Sequence, residues 1–238
     1  MTSTIHALLQ RLHAQSRAET LDRARAQLPV DGVAFVDLVN QYEALAPRLR
    51  GQFLSDLGLS LDDSSRSQGT PLSLAISAEC GLFLRNLVLS HQPARILELG
   101  SSYGVSTLYF AEALRTLGRG TVVATEIDAR KCERLREYLA DAGVQAYVDL
   151  HEGDVFETVE QLAGSFDMVF IDIWADGYLP LFQRIEHLLR PGSIVLADNM
   201  YTAEAAVQSF KRYLDAHPRL SSTTLDFESG LEFTVVTA

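Results

Sequence analysis

Arg95-Ile96-Leu97-Glu98-Leu99-Gly100-Ser101-Ser102-Tyr103-Gly104-Val105-Ser106 reads as a short buried strand, a glycine-bounded turn and the entry to a helix. Four apolar or aliphatic-stemmed positions flank a single acid, and the run is too short for a helix. Gly100 and Gly104 then supply the conformational freedom a tight strand-to-helix turn needs. Beyond it the same rhythm repeats. A helix is expected over Thr107 to Leu117, a strand over Thr121 to Glu126 and a helix over Ala129 to Ala142. Strands follow over Tyr147 to His151 and Phe166 to Ile171, a helix over Leu179 to Leu189, a strand over Ser193 to Ala197 and a helix over Glu204 to Ala216. Alternating strands and helices predict βαβ units and a mostly parallel sheet covered on both faces. The tail differs: strand patterns at Ser222 to Phe227 and Leu231 to Thr237 are joined by Glu228-Ser229-Gly230, which predicts an antiparallel hairpin. The expected fold class is α/β, a Rossmann-like, seven-stranded, mostly parallel sheet ending in that hairpin.

The first 70 residues carry helical periodicity instead. Leu8, Leu9, Leu12, Leu21 and Leu28 suit one amphipathic helix ending near Pro29, and Phe35, Leu38, Val39, Tyr42 and Leu45 suit another before Pro47. A polar run, Asp62 to Gly69, reads as a loop, and Pro71 opens a third helical pattern reaching about Ser90. The expected division is a helical lid or oligomerisation segment over 1–70 and an α/β domain over 71–238. Tyr42, Phe53 and the loop around Gly69 are candidates for the lid.

Composition narrows the function. The chain has 238 residues, 47% of them hydrophobic and 21% charged, enough apolar content for a full core. A formal net charge of -11 with no run of Lys or Arg argues against a nucleic acid partner. Cys80 and Cys132 are too few for a disulfide framework or a zinc site and fit a reducing cytoplasm. No stretch reaches the roughly 18 apolar residues of a membrane span, and residues 1–25 lack a signal-peptide pattern. His6, His13, His91, His151 and His217 have no local partners that suggest catalysis; His6 and His13 read as surface residues of a helix.

Ligands of open parallel sheets sit at the carboxyl ends of the strands. A dinucleotide fingerprint would read Gly-x-Gly-x-x-Gly. Here the glycines are four apart and an acid, Glu98, stands two residues before the first. That carboxylate would repel a pyrophosphate but attract an ammonium or sulfonium, such as those of S-adenosylmethionine (SAM). The helix start adds unpaired N–H groups and the hydroxyls of Ser106 and Thr107. Glu126, ending the second strand 22 residues after Gly104, is placed to accept both ribose hydroxyls. Asp154 suits either the adenine edge or a helix N-cap. Asp172, Asp198 and Asn199 end adjacent strands; two carboxylates and an amide oxygen are hard ligands of the kind magnesium takes. The alternative is that Asp198-Asn199 caps the next helix while Asp172 hydrogen-bonds backbone.

From about Pro71 to Ala238 the chain resembles the small-molecule O-methyltransferases that include catechol and caffeoyl-CoA O-methyltransferases. The resemblance is densest in Ile96 to Thr107, in Asp167 to Pro180 with its Asp172-Ile173-Trp174, and in Leu188 to Asn199. It implies that Glu98, Gly100, Ser102 and Ser106, in the loop closed by Gly104, hold the methionine part of SAM. It implies Glu126 on the ribose, Ile127 packed on adenine, Asp154 and Val155 flanking the base, and Trp174 stacked on it. Asp172, Asp198 and Asn199 would coordinate a divalent metal, Mg2+ in most members, and the habit of the family suggests a homodimer.

One departure bears on mechanism. The resemblance implies a lysine base three residues after the first metal aspartate, and that position is Ala175. Asp172, Asp176 and Tyr178 are then the candidate catalytic residues; a metal could also acidify the acceptor unaided. An amine acceptor would need less activation, so N-methyl transfer is one alternative. Another is cyclisation of SAM by its own amino group with release of methylthioadenosine, which needs mainly in-line geometry. Tyr103 and Tyr201 are expected to flank the cleft.

Overall fold

A computed structural model describes residues 3–59, 75–201, 204–227 and 229–238. The strands β1 (Arg95–Leu99), β2 (Thr121–Glu126), β3 (Val148–Glu152), β4 (Phe166–Ile171), β5 (Leu189–Ala197), β6 (Leu220–Leu225) and β7 (Leu231–Val236) form one sheet in the order 3-2-1-4-5-7-6. β1 to β5 pair in parallel, and β7 pairs antiparallel with both β5 and β6. Six strands therefore run one way and β7 runs against them. The order reverses direction beside β1, so the ends of β1 and β4 border the crevice where such sheets take ligands.

Side-chain alternation along the strands supplies two cores. Ile96, Val122, Ala124, Met168, Phe170 and Leu196 face one helical layer. That layer is α1 (Ser3–Gln27), α4 (Ala78–His91), α5 (Val105–Leu117) and α6 (Ala129–Ala142). Leu97, Leu99, Val123, Val169, Ile171 and Val195 face the other. There α8 (Tyr178–Ile185) and α9 (Glu204–Ala216) pack, with Phe182 and Phe210 meeting edge to face at 5.6 Å between centroids. The short α7 (Val155–Thr158) follows β3.

Several boundaries differ from the sequence expectation. Pro47 does not stop a helix; it opens α3 (Pro47–Asp56), where a missing N–H costs nothing in the first turn. α2 (Gly32–Ala44) is capped by Asp31, whose carboxylate accepts from Val33 and Ala34. β5 starts at Leu189, because Arg190-Pro191-Gly192 is absorbed in a register shift against β4. His13 is not a plain surface residue: its Nε2 lies 3.1 Å from the Tyr109 hydroxyl, tying α1 to α5. The polar run from Asp62 to Gly69, the helix start at Pro71 and the boundary at residue 70 lie outside the described residues. Among the described residues no helix is long and apolar enough to cross a membrane.

Candidate functional site

The crevice is held in shape by a chain of hydrogen bonds that continues the sheet past its strand ends. Ser101 N donates to Thr125 O, Gly153 N to Glu126 O, Asp172 N to Leu99 O and Asp198 N to Ile171 O, all at 2.9–3.0 Å. The loops carrying the acids thus stand side by side as the strands do. Gly100, with φ +90°, lies so close to β4 that a methyl on its Cα would overlap the carbonyl oxygen of Asp172. Gly104, at φ +82°, is the N-cap of α5 and leaves that helix without a side-chain cap. The open N-terminus of α5, with buried Ser106 in its first turn, is suited to an anionic group such as a carboxylate.

Glu98 lies at the floor, wholly buried. Its Oε2 accepts from Ser101 Oγ at 3.0 Å and Thr107 Oγ1 at 2.5 Å. Its Oε1 is buried with no partner. Burial raises the pKa of Glu98, the hydroxyls of Ser106, Thr107 and Ser101 oppose that, and the charge of Glu126 adds to it. A buried carboxylate oxygen without a donor costs free energy, roughly 1–3 kcal/mol or more. It is therefore built to receive a donor, preferably a cationic one.

Glu126, also buried, accepts from Ser102 N and Asp128 N, both at 2.8 Å. One bond goes to each carboxylate oxygen, which leaves a second lone pair on each for a diol. Ile127 beside it is 69% exposed, an apolar face at the crevice rim. Asp154 is the N-cap of α7 and accepts from Phe156 N at 2.8 Å, so the capping role is observed. Val155 and Trp174 are partly buried, and Trp174 precedes a short turn over Ala175–Gly177.

On the β4–β5 side, Asp172 is partly buried and Asp198 is buried. Burial, then the charges of Asp198 and Glu98, push the pKa of Asp172 well up, while Asn199 and Lys131 pull the other way. The Asn199 amide donates to Asp172 Oδ1 at 3.0 Å, from a left-handed backbone at φ +62°. Ser102, across the crevice, is also left-handed at φ +48°. Strained non-glycine residues concentrate at functional sites, and two of the three described here border this crevice. Among the described residues no group of three or more His, Cys, Asp or Glu forms a metal cluster. The smaller set of two mutually repelling carboxylates and an amide is nevertheless chemically suited to one hard cation whose remaining positions are water or substrate.

The candidate catalytic residues are not brought together equally. Tyr178 is wholly buried, and its hydroxyl donates to the Asp198 carbonyl at 3.0 Å. Burial, with Asp172 and Asp198 adding, drives its pKa well above the usual tyrosine value. That placement corrects the expectation of a proton acceptor at Tyr178: the residue braces the β5 loop instead. Asp176 is exposed and Ala175 partly buried. Tyr201 donates to Asp226 Oδ1 at 2.7 Å, and its pKa is pushed up to about 12 by burial, with Asp226 contributing.

Two residues had no signal in the sequence. Lys131 reaches from α6 to Ser102 Oγ at 3.1 Å and lies 5.5 Å from the Tyr103 ring centroid. Tyr103 is thus packed under an ammonium. Ser229, in the β6–β7 turn, donates to Asp198 Oδ1 at 2.5 Å. Only strand pairing brings it there.

Residues 97–200 match a family model described as a methyltransferase domain. The chain is 31% identical to a catechol O-methyltransferase of Niastella koreensis over 194 residues, covering 75% of this chain and 86% of that one. It is 33% identical to a catechol O-methyltransferase of Mycobacterium tuberculosis over 175 residues, covering 72% of each. Among solved structures, the O-methyltransferase TomG of Streptomyces achromogenes, in complex with SAM, superposes with a TM-score of 0.66 at 27% identity. That match covers 79% of this chain and 96% of TomG.

Proposed function

The chain belongs to the class I SAM-dependent O-methyltransferases, and we propose that it methylates a hydroxyl of a small aromatic acceptor with the help of Mg2+. The observation that carries this is the buried Glu98 carboxylate with one oxygen lacking a donor. It stands between the uncapped start of α5 and the ribose-ready Glu126, so one ligand bearing an ammonium, a carboxylate and a diol would satisfy all three.

In this reading Glu98 takes the amino group, Ser106 and the α5 amides take the carboxylate, and Gly100 admits the chain close to β4. Ser102 supports Glu126, which takes the ribose, with Ile127, Val155 and Trp174 around adenine. Asp154 serves by capping α7 and shaping that edge. Bound SAM supplies a methyl on cationic sulfur: the acceptor O–C bond forms as the C–S bond breaks, leaving neutral S-adenosylhomocysteine. Asp172, Asp198 and Asn199 would hold Mg2+, which supplies a Lewis acid that lowers the acceptor's pKa. Asp176, exposed at the turn, is the protein group we assign to carry the acceptor proton to solvent. Residues 1–70 are assigned to the lid and to homodimer contacts, and residues 71–238 to the catalytic unit in a cytoplasmic protein without nucleic acid or membrane partners.

Ala175 favours a second reading, because a site without the lysine suits a nucleophile that needs no base. Cyclisation of SAM would release methylthioadenosine, and transfer to an amine would release S-adenosylhomocysteine. Incubating the protein with SAM, Mg2+ and 3,4-dihydroxybenzoate, with and without chelator, and identifying the nucleoside decides between them. S-adenosylhomocysteine formed only with the phenol and suppressed by chelator is the expected result. Methylthioadenosine formed without any acceptor would replace this reading by the cyclase.

A further inference from the structure

We infer that Ser229 is a positioning residue for the acceptor half of the site, fixing the plane of the Asp198 carboxylate. The inference rests on the methyl-transfer reading and adds to it a residue from the hairpin. Asp198 directly follows β5 and is held through both its backbone and its side chain. Its backbone carbonyl accepts from Tyr178, and its Oδ1 accepts from Ser229 Oγ at 2.5 Å.

The turn that bears Ser229 is itself tied down. Tyr201 N donates to Ser229 O at 2.7 Å and Met200 N to Gly230 O at 3.0 Å. Gly230 sits at φ +80° with the Tyr201 ring against its Cα, where a methyl group would collide. Register does the rest: Ala197 pairs with Glu232 across β5 and β7. Glu232 is buried and anchored by the hydroxyls of Ser222 and Thr224 and by Lys211 Nζ at 3.3 Å. The Ser229 hydroxyl is thus delivered from a rigid frame, as a group that orients a ligand must be. The Ser229 hydrogen bond restrains rotation of the Asp198 carboxylate, whose charge acts on Asp172.

The test compares wild type, Ser229→Ala and Ser229→Thr. Calorimetry reads SAM affinity and water-proton relaxation reads Mn2+ binding. Turnover of 3,4-dihydroxybenzoate with Mg2+ gives kcat, KM and the ratio of meta to para product. In Ser229→Ala, kcat is expected to fall about tenfold and Mn2+ binding to weaken about tenfold, the low end of the usual range for lost support of a ligand. The meta-to-para ratio should move toward unity, SAM affinity should stay within about twofold, and Ser229→Thr should restore the first three readings. Unchanged kcat, Mn2+ affinity and product ratio in Ser229→Ala would overturn the inference, as would a Thr variant no better than Ala. Wild type that binds no SAM defeats the methyl-transfer reading instead, and the Mn2+ comparison then still decides on Ser229. Wild type that neither holds Mn2+ nor turns over the acceptor defeats the positioning role as well.

Discussion

Thr107, in the first turn of α5, donates to the Glu98 carboxylate at 2.5 Å and ties it to the helix side of the crevice, while the other oxygen of Glu98 stays buried without a donor. One half of the carboxylate is satisfied by the fold and the other half is left for a ligand. The pH dependence of ligand binding follows from this arrangement.

Burial raises the Glu98 pKa above its unfolded value. Between the two values the native state binds more protons than the unfolded state, so this group's contribution to stability falls as pH rises through that window. Cation binding has the opposite preference, since it favours the ionised form. SAM affinity is expected to drop as pH falls through the raised Glu98 pKa, with proton release on binding in that range. Calorimetry in buffers of different ionisation enthalpy measures it. Glu98→Gln should bind SAM about 100-fold more weakly at pH well above the raised Glu98 pKa, where about 2.7 kcal/mol of charge-assisted bonding is lost, with the gap closing as pH falls through that pKa. A pH-independent affinity would remove Glu98 from the ammonium site.

Gly100→Ala should be severe. The position has φ +90° and no room against the Asp172 carbonyl, so strain and overlap add. A loss of about 2–4 kcal/mol is expected, read as a lowered midpoint in chemical denaturation. Gly143→Ala has open space and a positive φ of 65°, so it carries strain alone and should cost about 1 kcal/mol.

Asp172→Asn removes a charge that burial, Asp198 and Glu98 all oppose, and keeps an oxygen for the Asn199 amide. The ligand-free protein should gain about 1 kcal/mol, or about 2–4 °C in Tm. Turnover should fall at least about 100-fold. Differential scanning calorimetry beside a methyl-transfer assay tests both halves; a destabilised variant would mean that Asp172 is held by favourable contacts.

Ala175→Lys places an amine where the family resemblance implies a base. With a phenolic acceptor, kcat near neutral pH should rise about tenfold, the low end of general-base catalysis. The acid limb of the pH–rate profile should move with it. No rise with a phenol would favour a nucleophile that needs no deprotonation.

The carboxyl ends of β1, β2, β4 and β5, the two glycines and the acids Glu98, Glu126, Asp172 and Asp198 were all legible along the chain. Alternation of apolar residues and turn residues are local signals, and an acid at a strand's carboxyl end has a fixed place in a parallel sheet. Asp154 was legible only as a choice between two roles, because capping geometry depends on how β3 enters α7. What packing alone decided is which of those polar groups keep a free valence. The vacant oxygen of Glu98, the Tyr178 hydroxyl turned into the core, Lys131 arriving from α6 and Ser229 arriving from the hairpin all join residues far apart in sequence. Burial and hydrogen-bond partners are set by layers closing on a sheet, and no local pattern carries that information.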